Sequence, residues 1–155
     1  MSGFSAVEEA SAAALHDATE RTTTLLNLLH VQPLFLTLGE LRQRSYRYLS
    51  SHCALEYDSE EQLLARVDRA VLNYIRHRLS NMHELLRESG EYDPLASQQL
   101  KAAVHARAVR SYPALRAAAE QLDQEAALKA FMFLVNQHFI ASDATCCDEQ
   151  KGVTA

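Results

Sequence analysis

The stretch from Asp58 to Ser89, DSEEQLLARVDRAVLNYIRHRLSNMHELLRES, contains neither Gly nor Pro. Nothing in its backbone chemistry stops a helix from running its length. Leu64, Val71, Ile75, Leu79, Met82 and Leu86 recur at three- and four-residue steps, and only Asp68 interrupts that row. On the other side Arg66, Arg69, Asn73, Arg76, Ser80, His83 and Arg87 recur at the same steps. A 3.6-residue period places the first set on one face and the second on another, so the stretch predicts an amphipathic helix with an apolar stripe and a basic, hydrogen-bonding stripe. Asp58 or Ser59 is placed to cap it, Glu60 and Glu61 fall in its first turn, and Gly90 follows its end. Unbroken, it would be about 45 Å long at 1.5 Å per residue. A kink at Ser80-Asn81 is compatible with the pattern.

The other segments read as shorter helices. A first helix is expected from Ser5 to about His30, with Val7, Ala10, Ala14, Leu15, Leu25, Leu26, Leu28 and Leu29 as its apolar positions. The β-branched run Thr22-Thr23-Thr24 marks a place where it could break. Thr37 and Glu40 have the spacing of a capping box, which opens a helix over Leu38 to about Leu55 with Leu41, Ser45, Tyr48, Leu49 and His52 on one face. Asp93-Pro94 is a cap followed by Pro at the first helical position. It starts a helix to about Arg110, with Leu95, Leu100, Ala103, Val104 and Ala108 inward. Ser111 is expected to cap a short helix containing Pro113. Asp123 is expected to open the last helix, to about Ile140, on a face rich in Leu128, Phe131, Met132, Leu134, Val135 and Phe139.

Gly and Pro together number only seven in 155 residues, and strong helix formers dominate. The class expected is therefore all-α: an irregular helical bundle or stacked helical hairpins, with five to seven helices. A chain this long can bury a core without staples, so one domain over residues 1–141 is expected, followed by a polar C-terminal tail over 142–155. The formal net charge is −5. From Glu40 to Arg116 there are 12 basic and 10 acidic residues, whereas the two ends hold 3 basic and 10 acidic. A mildly basic centre between acidic ends lacks the strong basic excess of a general DNA binder. The cysteines Cys53, Cys146 and Cys147 are odd in number and two are adjacent, which argues against a disulfide framework and for a reducing, intracellular compartment. No apolar run is long enough for a transmembrane helix, and the start lacks a secretory apolar region. Cytosol and mitochondrial matrix both fit. Glu8, Glu9, Asp17 and Glu20 argue against an uncleaved mitochondrial leader.

No motif specifies catalysis. There is no nucleophile elbow, no Gly-rich phosphate loop, and no pair of histidines at i and i+4. Cys53, Cys146 and Cys147 lack metal-ligand spacing. No metal, cofactor or catalytic role is expected. Six tyrosines interleave with arginines, a mixture that can serve RNA but also closes many small cores. The strongest binding candidate is the row Arg66, Arg69, Asn73, Arg76, Ser80, His83 and Arg87. Such a row is most often a solvated helix face. This one carries no acid, and suits an acidic partner helix, a phosphate-bearing group or an RNA backbone.

Ser45-Tyr46-Arg47 on one helix, with Ile75-Arg76 on the next, resembles the layout of the LYR-motif mitochondrial accessory proteins. Ser45 stands where that family has Leu, and Ile75 where it has Phe. The resemblance implies an accessory protein that binds acyl carrier protein. From the residues themselves the expected function is a non-catalytic interaction scaffold or accessory subunit of a larger complex. The acidic surface of a partner protein would lie on the Arg66–Arg87 stripe, with RNA or phosphate-ligand binding as the alternative.

Overall fold

The computed structural model describes residues 16–17, 19–52, 56, 59–90 and 92–154, with side chains described as far as residue 136. Among the described residues the chain is all-α, with six helices and no strands. We number them α1 (residues 19–28), α2 (Leu38–His52), α3 (Glu60–Arg78), α4 (Met82–Glu88), α5 (Pro94–Ser111) and α6 (Arg116–Thr154). A 3-10 turn, Pro113–Leu115, joins α5 to α6.

Local chemistry sets most helix starts. Thr37 Oγ1 accepts from the Glu40 amide at 3.2 Å, and Ser59 Oγ accepts from the Gln62 amide at 3.2 Å. Asp93 Oδ1 accepts from the amides of Leu95 and Ala96, with Pro94 leading the helix. Each cap satisfies an amide that has no partner within its own helix. Gly90 adopts φ +90°, a left-handed conformation open to Gly at little cost, and turns the chain after α4. Asp58 lies outside the described residues, as do residues 5–15 and 18 of the expected first helix.

The helix expected over Asp58–Ser89 is two helices. It breaks at Leu79–Asn81 because the segment after α1 docks there. Gln32 donates its amide hydrogen to Leu79 O at 2.7 Å, and Asn81 donates its own to His30 O at 3.2 Å. Asn81 Oδ1 accepts the His30 amide hydrogen at 2.7 Å, while its Nδ2 donates to Leu28 O at 3.0 Å. Val31 and Ser80 form an isolated antiparallel bridge. These bonds replace the helical ones that a continuous backbone would have made.

The threonine run does not break α1. Thr23 and Thr24 donate their hydroxyl hydrogens to the carbonyls of Thr19 and Glu20, four residues back. Ser111 ends α5 rather than capping the next element, and α6 starts at Arg116, not at Asp123. Residues 117–151 contain no Gly or Pro, and the helical backbone runs on to Thr154, through the stretch expected as a tail.

The core gathers Leu41 from α2, Val67, Val71, Leu72 and Ile75 from α3, Met82 and Leu85 from α4, Leu100, Val104 and Ala108 from α5, and Leu115, Ala118 and Ala119. α5 packs mainly on α6, and α2 on α3. Two expected core faces are corrected. Leu64 is half-exposed, and α3 buries Val67 and Leu72 instead. In α6, Leu128, Phe131, Met132 and Leu134 are exposed, because that helix turns its small residues Ala118, Ala119 and Ala130 inward and so approaches its neighbours closely. Leu28 and Tyr48 are also exposed. No helix among the described residues is long and apolar enough to cross a membrane.

Candidate functional site: an arginine groove beside a buried histidine relay

Asp68, the one interruption of the apolar row, is 6% exposed. It accepts a two-pronged hydrogen bond from Arg42 of α2, at 2.8 and 3.1 Å. This pair fixes α2 against α3, and beside the two helices a cavity of about 970 Å³ opens. Its wall carries Arg44, Arg66, Arg69, Arg76 and Arg78, together with Tyr48, Tyr74, Asn73 and His77. Leu49, Ala70 and Leu122 add apolar surface, and no carboxylate among the described residues lines it.

The seven residues of the sequence stripe divide between two elements and the break. Arg66, Arg69, Asn73 and Arg76 line the groove from α3. Ser80 sits in the break, half-buried, and returns its hydroxyl hydrogen to Arg76 O at 2.6 Å. His83 and Arg87 lie on α4 and do not line the groove. Arg44 and Arg78, which the stripe omitted, do line it. No sequence signal marked Arg44: it joins the site only because α2 packs alongside α3.

The arginines differ in freedom. Arg66 donates to Glu56 O at 2.8 Å. Arg69 makes a two-pronged pair with Glu125 of α6 at 2.8 and 2.7 Å, and that hydrogen bond holds the Glu125 carboxyl below its usual range. Arg76 donates to Asn73 Oδ1 at 3.0 Å and contacts His105 Nε2 at 2.5 Å. His105, 1% exposed, holds Asp123 Oδ1 through Nδ1 at 2.7 Å. With Nδ1 donating to the carboxylate, a neutral ring leaves Nε2 free to accept from Arg76. Burial lowers the His105 pKa, against the opposing pull of Asp123, and so favours this neutral form. Asp123, His105 and Arg76 thus form a relay from α6 through α5 to the groove wall. Burial also lowers the Arg76 pKa, against the opposing pull of Asp123, and the guanidinium keeps its charge.

Of the two paired segments that resemble the LYR layout, Ser45 and Arg76 line the groove, and Tyr46 and Arg47 are exposed beyond it. Ile75 is fully buried in the core. Among the described residues no three His, Cys, Asp or Glu side chains are grouped to hold a metal ion. Cys53 and the side chains of Cys146 and Cys147 lie outside the described residues. Compared with known protein families, curated proteins and solved structures, the chain matches none.

Proposed function

We propose that this protein is a non-catalytic accessory module that docks an acidic segment of a partner protein in the arginine groove. The observation that carries this reading is the wall itself: five arginines, two tyrosines and an apolar patch, with no carboxylate among the described residues that line it. Arginine presents planar, paired donors that match carboxylates, and tyrosine and leucine surface suits the apolar side of a docked helix. The relay supports the reading, since it holds Arg76 in place before any partner arrives and so lowers the ordering cost of binding. The LYR resemblance would make the acidic partner acyl carrier protein.

Arg69 and Arg76 are unsuitable for the test, because both are tied into the fold by Glu125 and His105. Arg44→Glu with Arg78→Glu reverses two groove charges that hold no such contacts among the described residues. The probe is a fluorescent, Glu-rich amphipathic helical peptide followed by polarisation. The double variant is expected to keep its circular dichroism spectrum and lose at least tenfold in affinity. Unchanged affinity would overturn the reading. The second reading, a nucleic-acid backbone on the same arginines, is favoured by Tyr48 and Tyr74 beside them. It predicts single-stranded RNA binding that falls steeply with salt.

A further inference from the structure

At the edge of the groove, at the junction of α3, α4 and α5, Arg76 and His77 of its wall meet His83 and Lys101, which the partner reading does not use. The rings of His77 and His83 stack with centroids 3.9 Å apart and planes inclined by 20°. Lys101 of α5 is half-buried nearby, close enough for its charge to act on both rings. The charged groups acting on His77, His83 and Lys101 are Arg76 and Arg78 of α3, Arg87 of α4, Lys101 itself, and Lys129 of α6; all are cationic. Asp123 acts on Arg76 and Glu125 on Lys129, but no carboxylate is among the groups acting on His77, His83 or Lys101, and like charges gathered in this way cost free energy. A second observation concerns hydrogen bonding. Among the described residues, two sealed side-chain nitrogens lack any partner, His83 Nε2 and Arg76 Nε. Both belong to this cluster. Buried polar groups without partners are uncommon; here one lies in the histidine stack and the other on the arginine whose charge acts on that stack.

We infer that the α3–α4–α5 junction is a subsite for a phosphate-class dianion, held by His77, His83, Lys101 and Arg76. Such an anion brings two negative charges and three acceptor oxygens, which answers both the excess charge and the unpartnered donors. A carboxylate brings one charge and two oxygens and answers less of each. His77 is exposed and lies over His83, so a turn of its ring opens the stack to the anion. The inference rests on the proposed groove to the extent that Arg76 and His77 border both, and it specifies that the docked ligand carries a phosphate at that end.

Burial and the surrounding cations keep both imidazoles neutral near pH 7. A bound dianion reverses that balance, so its binding takes up protons at the rings wherever the ligand itself stays dianionic, above its second pKa of about 6 for a phosphate ester.

The test is a titration of the full chain with inorganic phosphate, following the His77 and His83 ring resonances at constant ionic strength, with chloride as control. The expected result is a saturable shift of both rings with phosphate and none with chloride, weakened at least tenfold by Lys101→Met and unaltered by Arg44→Glu. Equal, unsaturable shifts with both salts would overturn the inference, and so would full retention in Lys101→Met. A second arm compares a Glu-rich peptide with and without one phosphoserine. A phosphorylation gain of tenfold or more that Lys101→Met removes identifies a phosphorylated partner as the source of the anion. Saturation by free phosphate without that gain supports the subsite with a free phosphate compound as its ligand. Loss of phosphate binding with retained peptide binding would sink the subsite and leave the groove standing.

Discussion

Asn81 Oδ1 accepts the amide hydrogen of His30 at 2.7 Å, across 51 positions of sequence. The same side chain donates to Leu28 O at 3.0 Å. One amide group therefore closes the backbone at the end of α1 and holds it in the gap between α3 and α4. Asn81→Ala removes both bonds and leaves a donor and an acceptor of the main chain without partners. The expected cost is about 1–3 kcal/mol, read as a lower urea midpoint with an unchanged slope. A midpoint equal to that of the parent chain would show that the break is maintained by backbone pairing alone.

The Arg42–Asp68 pair gives a second prediction. Asp68 is almost fully buried, whereas Arg42 is about a third exposed. Arg42→Met leaves an unpaired buried carboxylate, which in a sealed site costs about 3–5 kcal/mol. Solvent reaches the arginine side here, so the expected loss lies at or below the lower end of that range. Arg42→Met combined with Asp68→Leu is expected to recover most of it, because the apolar row of α3 is then uninterrupted. A double-mutant cycle by denaturant unfolding measures this. A double variant as unstable as Arg42→Met alone would contradict the assignment.

The histidines set a pH dependence. Burial lowers the pKa of His105, His77 and His83 in the folded chain relative to the unfolded value of about 6.5. The unfolded chain therefore binds more protons as pH falls below about 6.5, and stability declines with acidity in that window. Each histidine contributes a slope of at most about 1.4 kcal/mol per pH unit. Unfolding free energy is expected to be lower at pH 5.5 than at pH 7.5, and His105→Gln to reduce the difference. Glu125, lowered by its bond to Arg69, acts in a separate window: its contribution is lost only as pH falls below about 4.3. A stability that rises between pH 7.5 and 5.5 would contradict the neutral form of His105 in the relay.

The caps at Thr37, Ser59 and Asp93 and the turn at Gly90 were legible from sequence, because each is settled by atoms within about three positions along the chain. The apolar period of α3 and the inward row Leu100, Val104 and Ala108 of α5 were legible for the same reason: one helical turn places those side chains together. The candidate site was legible only in part. Arg66, Arg69, Asn73 and Arg76 share a face by helical geometry, whereas Arg44 joins them from another helix.

What sequence alone determined is therefore the all-α class, most helix starts and the basic face of α3, all products of local hydrogen bonding and helical periodicity. Tertiary structure decided the rest. It ended α3 at Arg78, gave Asp68 its partner 26 positions away, and brought His105 to Arg76 across 29 positions. It also turned the alanines of α6 inward where its larger apolar residues were expected. Those outcomes depend on which elements meet in space, and the free energy of a contact between distant segments has no counterpart in the spacing of residues along one helix.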